Sequence, residues 1–203
     1  MQHALALCGV LILSACASKY AQVPARLDLA PYGRIALVTF SADQANRPLS
    51  TMATQRFAEA LLQSQIGVEL LELGAGDSSL MDIAARGDAA ALAKALGKDK
   101  DVPAVFVGQL TMSKVKPQGR ISASGVNLRA GVNAELTVQL LSTKTGGTMW
   151  RSSAAANGTL GRVAISDQLP SVSVRDRDDT YAAVVRQLIA DVTRDLRPTW
   201  VKQ

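Results

Sequence analysis

The chain has 203 residues, of which 48% are hydrophobic and 19% charged, and its formal charge is +5. That is material for one or at most two domains with a sizeable core, which excludes a disordered protein. Aromatic residues make up only 4%, which argues against a base-stacking platform, and nucleic acid is not expected as a partner.

Cys8, Cys16 and the single histidine, His3, all fall within the first sixteen residues. Residues 4–17 (ALALCGVLILSACA) form an uncharged apolar run of 14 residues. A membrane span needs about 20 such residues, so the run suits the apolar region of a secretory signal instead. It closes on Leu13-Ser14-Ala15-Cys16, which resembles a bacterial lipobox, in which small residues admit the signal peptidase before an acylated cysteine. Cys8 follows Leu7, which is too bulky for that role. The opening MQHA carries no Lys or Arg, a departure from the usual positive start. The expected organisation is a signal peptide over residues 1–15, a lipid-anchored tether over 16–33 and a single periplasmic domain over 34–203.

Removal of residues 1–15 takes away His3 and Cys8, and acylation occupies Cys16. Ser-His-Asp and Cys-His nucleophiles and His/Cys zinc sites are thereby excluded from the processed chain. Carboxylate acid–base chemistry stays open, but no catalytic residue, metal ligand or cofactor is assigned, and an enzyme is not expected. Acyl chains stabilise membrane attachment by about 0.8 kcal/mol per buried methylene, so two or more suffice for stable anchoring. Ala17 is not the aspartate that retains lipoprotein cysteines at the inner membrane. By that resemblance the anchor belongs in the outer membrane, facing the periplasm.

Residues 17–33 hold two prolines and no clear period, hence the tether. Residues 34–40 (RIALVTF) read as a strand covered on both faces. A helix is expected over 50–65, with Met52, Phe57, Ala58, Leu61 and Leu62 as its stripe and Gly67 as its stop. VELLEL at 68–73 makes a second strand, parallel to the first. A short helical segment holding Leu80, Met81 and Ile83 follows, and Gly87-Asp88 opens another. Gly74-Ala75-Gly76 completes no nucleotide fingerprint and reads as a turn.

Residues 104–111 (AVFVGQLT) form the third strand. Strict alternation then runs for 15 residues, with Val126, Leu128, Ala130, Val132, Ala134, Leu136, Val138 and Leu140 on one face. At about 3.4 Å per residue that strand would reach roughly 50 Å, so a bend is expected near Gly131. Thr145-Gly146-Gly147 turns the chain into an antiparallel return strand that begins at Met149, Trp150 and Arg151. Tyr181, Val184, Val185, Leu188, Ile189, Val192 and Leu196 lie at helical spacing before Pro198. The fold class is therefore α/β (α+β). Its mixed sheet is begun by a βαβ unit, completed by a long antiparallel hairpin and followed by a C-terminal amphipathic helix.

This order, together with RIALVTF, the helix segment RFAEAL (56–61), VFVGQLT (105–111) and VQLLSTKTGGTMW (138–150), resembles a periplasmic α/β domain family. Its members include the curli secretion lipoprotein CsgG, the N-terminal domain of the Tol protein TolB and the penicillin-binding protein activator LpoB. The resemblance implies a non-catalytic envelope component that binds another envelope protein or peptidoglycan, or assembles as a homo-oligomer. Its alternative is a ring-forming secretion or motility channel subunit, with the 126–166 hairpin contributing to a barrel.

From Val102 to Ser166 the only acidic residue is Glu135, against Lys114, Lys116, Arg120, Arg129, Lys144, Arg151 and Arg162. This half therefore carries +6 and the rest of the chain −1. Two readings stand: a solvated face that keeps the sheet soluble, or a surface steered toward an anionic partner such as phospholipid, lipopolysaccharide, peptidoglycan carboxylates or an acidic protein. The seven cations are the candidate binding surface. Asp176, Asp178 and Asp179 offset the dipole of the last helix.

Overall fold

The computed structural model describes residues 20–43, 46–74, 88–113, 116–122, 125–166, 169–174 and 177–202. Cys16, Lys114 and the segment with Leu80, Met81 and Ile83 lie outside them.

Chain order is β1 (Tyr20–Val23), a 3-10 turn (Ala30–Tyr32), β2 (Arg34–Val38), α1 (Arg47–Ser64), β3 (Glu69–Leu73), α2 (Ala89–Lys100) and β4 (Ala104–Met112). Then come β5 (Lys116–Ser122), β6 (Gly125–Ser142), β7 (Thr148–Ser166), β8 (Leu169–Val174), α3 (Arg177–Val192), a second 3-10 turn (Arg194–Leu196) and β9 (Thr199–Lys202). The main sheet runs β3-β2-β4-β6-β7-β8, with β5 pairing β6 beyond the end of β4. β2 is parallel to both β3 and β4, and every later pairing is antiparallel. This is the mixed sheet expected from the βαβ opening and the long hairpin.

The helices cover the two faces unequally. α1 carries Pro48 in its first turn, where a missing backbone N–H costs nothing, and buries Ala53, Phe57 and Leu61 at four-residue spacing. These pack with Val184, Val185, Leu188 and Val192 of α3 against Ile35, Phe106, Leu136, Val138 and Leu140. All three phenylalanines of the chain serve this core. Phe57 makes edge contacts with Phe40 and Phe106 at centroid distances of 5.4 and 5.1 Å, and Phe106 makes one with Trp150 at 6.1 Å. Gly108 exists for the same reason, because a Cβ there would stand 2.4 Å from the Phe40 ring. On the opposite face α2, capped by Asp88 accepting from the Ala91 N–H at 2.9 Å, packs on a smaller cluster that includes Ala36, Val102, Val105 and Leu141.

β6 is 18 residues long and bends where expected: the ladder with β7 shifts register between Ala130 and Gly131. The extra residue is Leu160, since Ala130 pairs Gly161 while Gly131 pairs Thr159. The bulge exchanges the faces of β7. Ala154, Ala156 and Gly158 share the core face before it, and Gly161, Val163 and Ile165 share that face after it.

The expected tether is shorter than its composition suggests, because residues 20–33 belong to the folded body. β1 pairs antiparallel with β9, and Leu29 is fully buried. The buried side chain of Gln65 holds this segment: its Oε1 accepts from the Leu29 N–H at 2.9 Å, and its Nε2 donates to the carbonyls of Leu27 at 3.0 Å and Leu196 at 2.7 Å. A backbone bond from the Leu27 N–H to the Asp195 carbonyl, 3.2 Å, closes the joint.

Candidate functional site

The basic half resolves into a projecting tongue and a base. α3 lies over the sheet at the Val132–Gly158 rung, where a Cβ on Gly158 would meet Val184 and Thr180 at 2.8 and 2.9 Å. Beyond that rung β5, β6, β7 and β8 continue as a four-stranded antiparallel sheet, with β5 packed chiefly on β6 and β8 on β7.

Register assigns the faces, because cross-strand partners share a face and neighbours along a strand alternate. One face of the tongue takes Gly119, Ile121, Val126, Leu128, Val163, Ile165, Val172 and Val174, with Pro117, Ala130, Gly161 and Pro170 filling the other positions. The opposite face takes Lys116, Gln118, Arg120, Asn127, Arg129, Arg162, Ser171 and Ser173. Four of the seven cations singled out in the sequence thus share one face. Arg129 and Arg162 are direct cross-strand partners, flanked by Gln118 and Ser173 in the same rung. Beyond the Val132–Gly158 rung, no carboxylate occupies any paired position of these four strands. Like charges directly opposite each other are unfavourable within a sheet.

Two other cations stand elsewhere. Arg151 pairs Gln139 on the same sheet face but near the base, where it lines a cavity of about 540 Å³ with Ser41, Asp43, Gln109, Thr111 and Thr137. Lys144 sits in the hairpin turn at the far end, with Lys94, Lys98 and Asp101 around it. The candidate surface is therefore narrower than the seven residues read from composition, and register is what separates them. Glu135, the acid of this half, pairs Thr111 on one side and Ala155 on the other. Arg34 is raised above its ordinary value by its hydrogen bond and charge contact with Glu69, its neighbour across β2 and β3 at 3.0 Å. That pair sits at an exposed strand start and serves the sheet. Among the described residues, no three Asp, Glu, His or Cys side chains gather as metal ligands. No described helix is long and apolar enough to cross a membrane.

No protein-family model and no curated protein matches the chain. Several solved structures are similar to it. The PelC dodecamer from Paraburkholderia phytofirmans is 16% identical, covers 88% of this chain and 96% of its own, and has a TM-score of 0.46. Lipoprotein GNA1162 from Neisseria meningitidis is 13% identical over 76% of this chain and 94% of its own, with a TM-score of 0.40. The LpoB C-terminal domain from Salmonella enterica is 14% identical over 66% of this chain and 84% of its own, with a TM-score of 0.35. The CsgG and TolB resemblances rest on the sequence signatures alone.

Proposed function

We propose that this chain is a non-catalytic lipoprotein of the cell envelope, anchored through Cys16 in the outer membrane and facing the periplasm. Its tongue binds an anionic surface of another envelope component. The observation that carries this reading is the register that places Lys116, Arg120, Arg129 and Arg162 on one face of four paired strands whose stretch beyond the Val132–Gly158 rung holds no carboxylate. The lipobox supports the compartment, and the loss of His3 and Cys8 with the signal segment supports the absence of nucleophilic chemistry.

A second reading, a ring-forming secretion or motility channel subunit, draws on the apolar face of the same tongue, since a barrel wall is likewise apolar on one side and polar on the other. Against it, the tongue strands run six to eight residues past the α3-covered rung, whereas membrane strands need about 9 to 11. The described strands also form an open sheet.

Crosslinking in intact envelopes, with electron microscopy of the detergent extract, tests both. The expected product is a heteromeric adduct that is lost when Arg129 and Arg162 are changed to Gln. Rings of one subunit type would favour the second reading, and a monomer with no adduct would overturn both.

A further inference from the structure

The β1–β9 ribbon is an exposed aromatic platform. Its register, Tyr20 with Lys202 and Gln22 with Trp200, puts these four residues on one face. On the other face Val23, Thr199 and Val201 line a groove of about 740 Å³ against Ser152, Ser153, Ala154 and Ala155 of β7. The first face therefore looks away from the domain. Tyr20 is 56% exposed and Trp200 65%, whereas the other tryptophan, Trp150, packs on Phe106.

Tyr20 is only four residues beyond Cys16. A fully extended chain covers at most about 3.6 Å per residue, so four steps reach about 14 Å. The headgroup layer on each side of the hydrocarbon core is about 5 to 8 Å deep. A lipid on Cys16 thus keeps Tyr20 within about two headgroup depths of the hydrocarbon boundary. The ribbon cannot swing clear of the domain either, because Gln65 fixes Leu27 and Leu29 to Leu196, just before β9.

We infer that the outward face of the β1–β9 ribbon lies on the membrane that holds the anchor, with Tyr20 and Trp200 at headgroup depth and Lys202 at lipid phosphates. Tyr and Trp, apolar bodies with a polar tip, favour that depth, and a lysine snorkels to phosphate from the same level. The eight residues of the ribbon fall well short of the roughly 20 to 30 per side that a stable protein interface uses, which favours lipid over a second copy. The inference rests on the lipidation of Cys16 proposed above. Its consequence is that the domain has a fixed face toward the bilayer instead of hanging freely from a tether.

The test uses the full lipidated protein in vesicles of phosphatidylethanolamine and phosphatidylglycerol carrying shallow bromolipids. Tryptophan emission is compared between the wild type and Trp200→Ala, which leaves core Trp150 in place. The difference spectrum, which belongs to Trp200, should shift to shorter wavelength and be quenched. Trp150→Phe, which isolates Trp200 directly, should repeat the result. Protein that floats with the vesicles while its Trp200 signal stays water-like and unquenched would overturn the inference and leave the anchor standing. Protein that does not float, with no lipid on Cys16, would overturn the anchor and the inference together. A Trp200 shift that depends on protein concentration without lipid would assign the face to a second copy and also overturn it.

Discussion

β6 and β7 pass through two environments without changing their pattern. In the inner half, residues 132–142 and 148–158, Val132, Ala134, Leu136, Val138 and Leu140 are buried under α1 and α3 together with Ala154 and Ala156. In the outer half, residues 125–131 and 159–166, the same alternation continues, and the bulge at Leu160 keeps Val163 and Ile165 in register with Leu128 and Val126. The neighbours differ. The inner half has helices over its apolar face, and the outer half gains β5 and β8 at its edges. Alternation therefore specifies that a face is apolar but not what covers it. The cover of the inner half comes from sequence-distant helices.

The largest effect that bears on this contrast belongs to the inner half. Phe57→Ala removes the ring that bridges Phe40 and Phe106 and should cost about 3–5 kcal/mol of stability in urea unfolding. Amide exchange on β5 and β8 should accelerate no more than that on β6. A cost under about 1 kcal/mol would show that the aromatic chain does not hold the inner half. The boundary between the halves is tested next. Gly158→Val pushes a side chain into Val184 and Thr180 and should cost about 1–3 kcal/mol by overpacking. Gly131→Val, on the opposite face of β6, meets only the Gly158 carbonyl, at 3.6 Å, and should be nearly neutral by the same unfolding measurement. Equal costs at the two glycines would show that contact with α3 is not what penalises a side chain at 158.

What the sequence shows and what it hides divide along similar lines. β2, α1, β3, α2, β4, the long hairpin and the last helix were legible because each carries its own apolar period. The bend was legible because a straight strand of that length would outgrow the domain. β5 and β8 were not, since KPQGRIS and LPSVSV each contain a proline and few large apolar residues. Both are edge strands, where proline is tolerated, so the feature that hides them in the sequence also fits their place in the sheet. β1 and β9 are four residues each and depend on each other and on Gln65, a joint between residues far apart in sequence that no local period announces. The basic surface was legible as a count. Its division into a tongue face, a cavity wall at Arg151 and a distant turn at Lys144 depends on register, which composition does not encode.

The smallest effect on folding is the most informative about function. Arg129 and Arg162 face each other across β6 and β7 with no acid in their rung, so folding alone gains nothing from having both. Arg129→Gln should leave the isolated protein as stable as before, or raise its stability by about 0.2–1 kcal/mol as the repulsion is relieved. The gain should shrink as salt screens the pair. In envelopes the same substitution should weaken the crosslinked adduct. A residue kept for the sheet would lose stability when replaced, and one kept for an anionic partner would lose only the partner. Urea midpoints at low and high salt, set beside the adduct yield, separate the two. A destabilised protein whose adduct is unchanged would return this face to the role of an ordinary solvated surface.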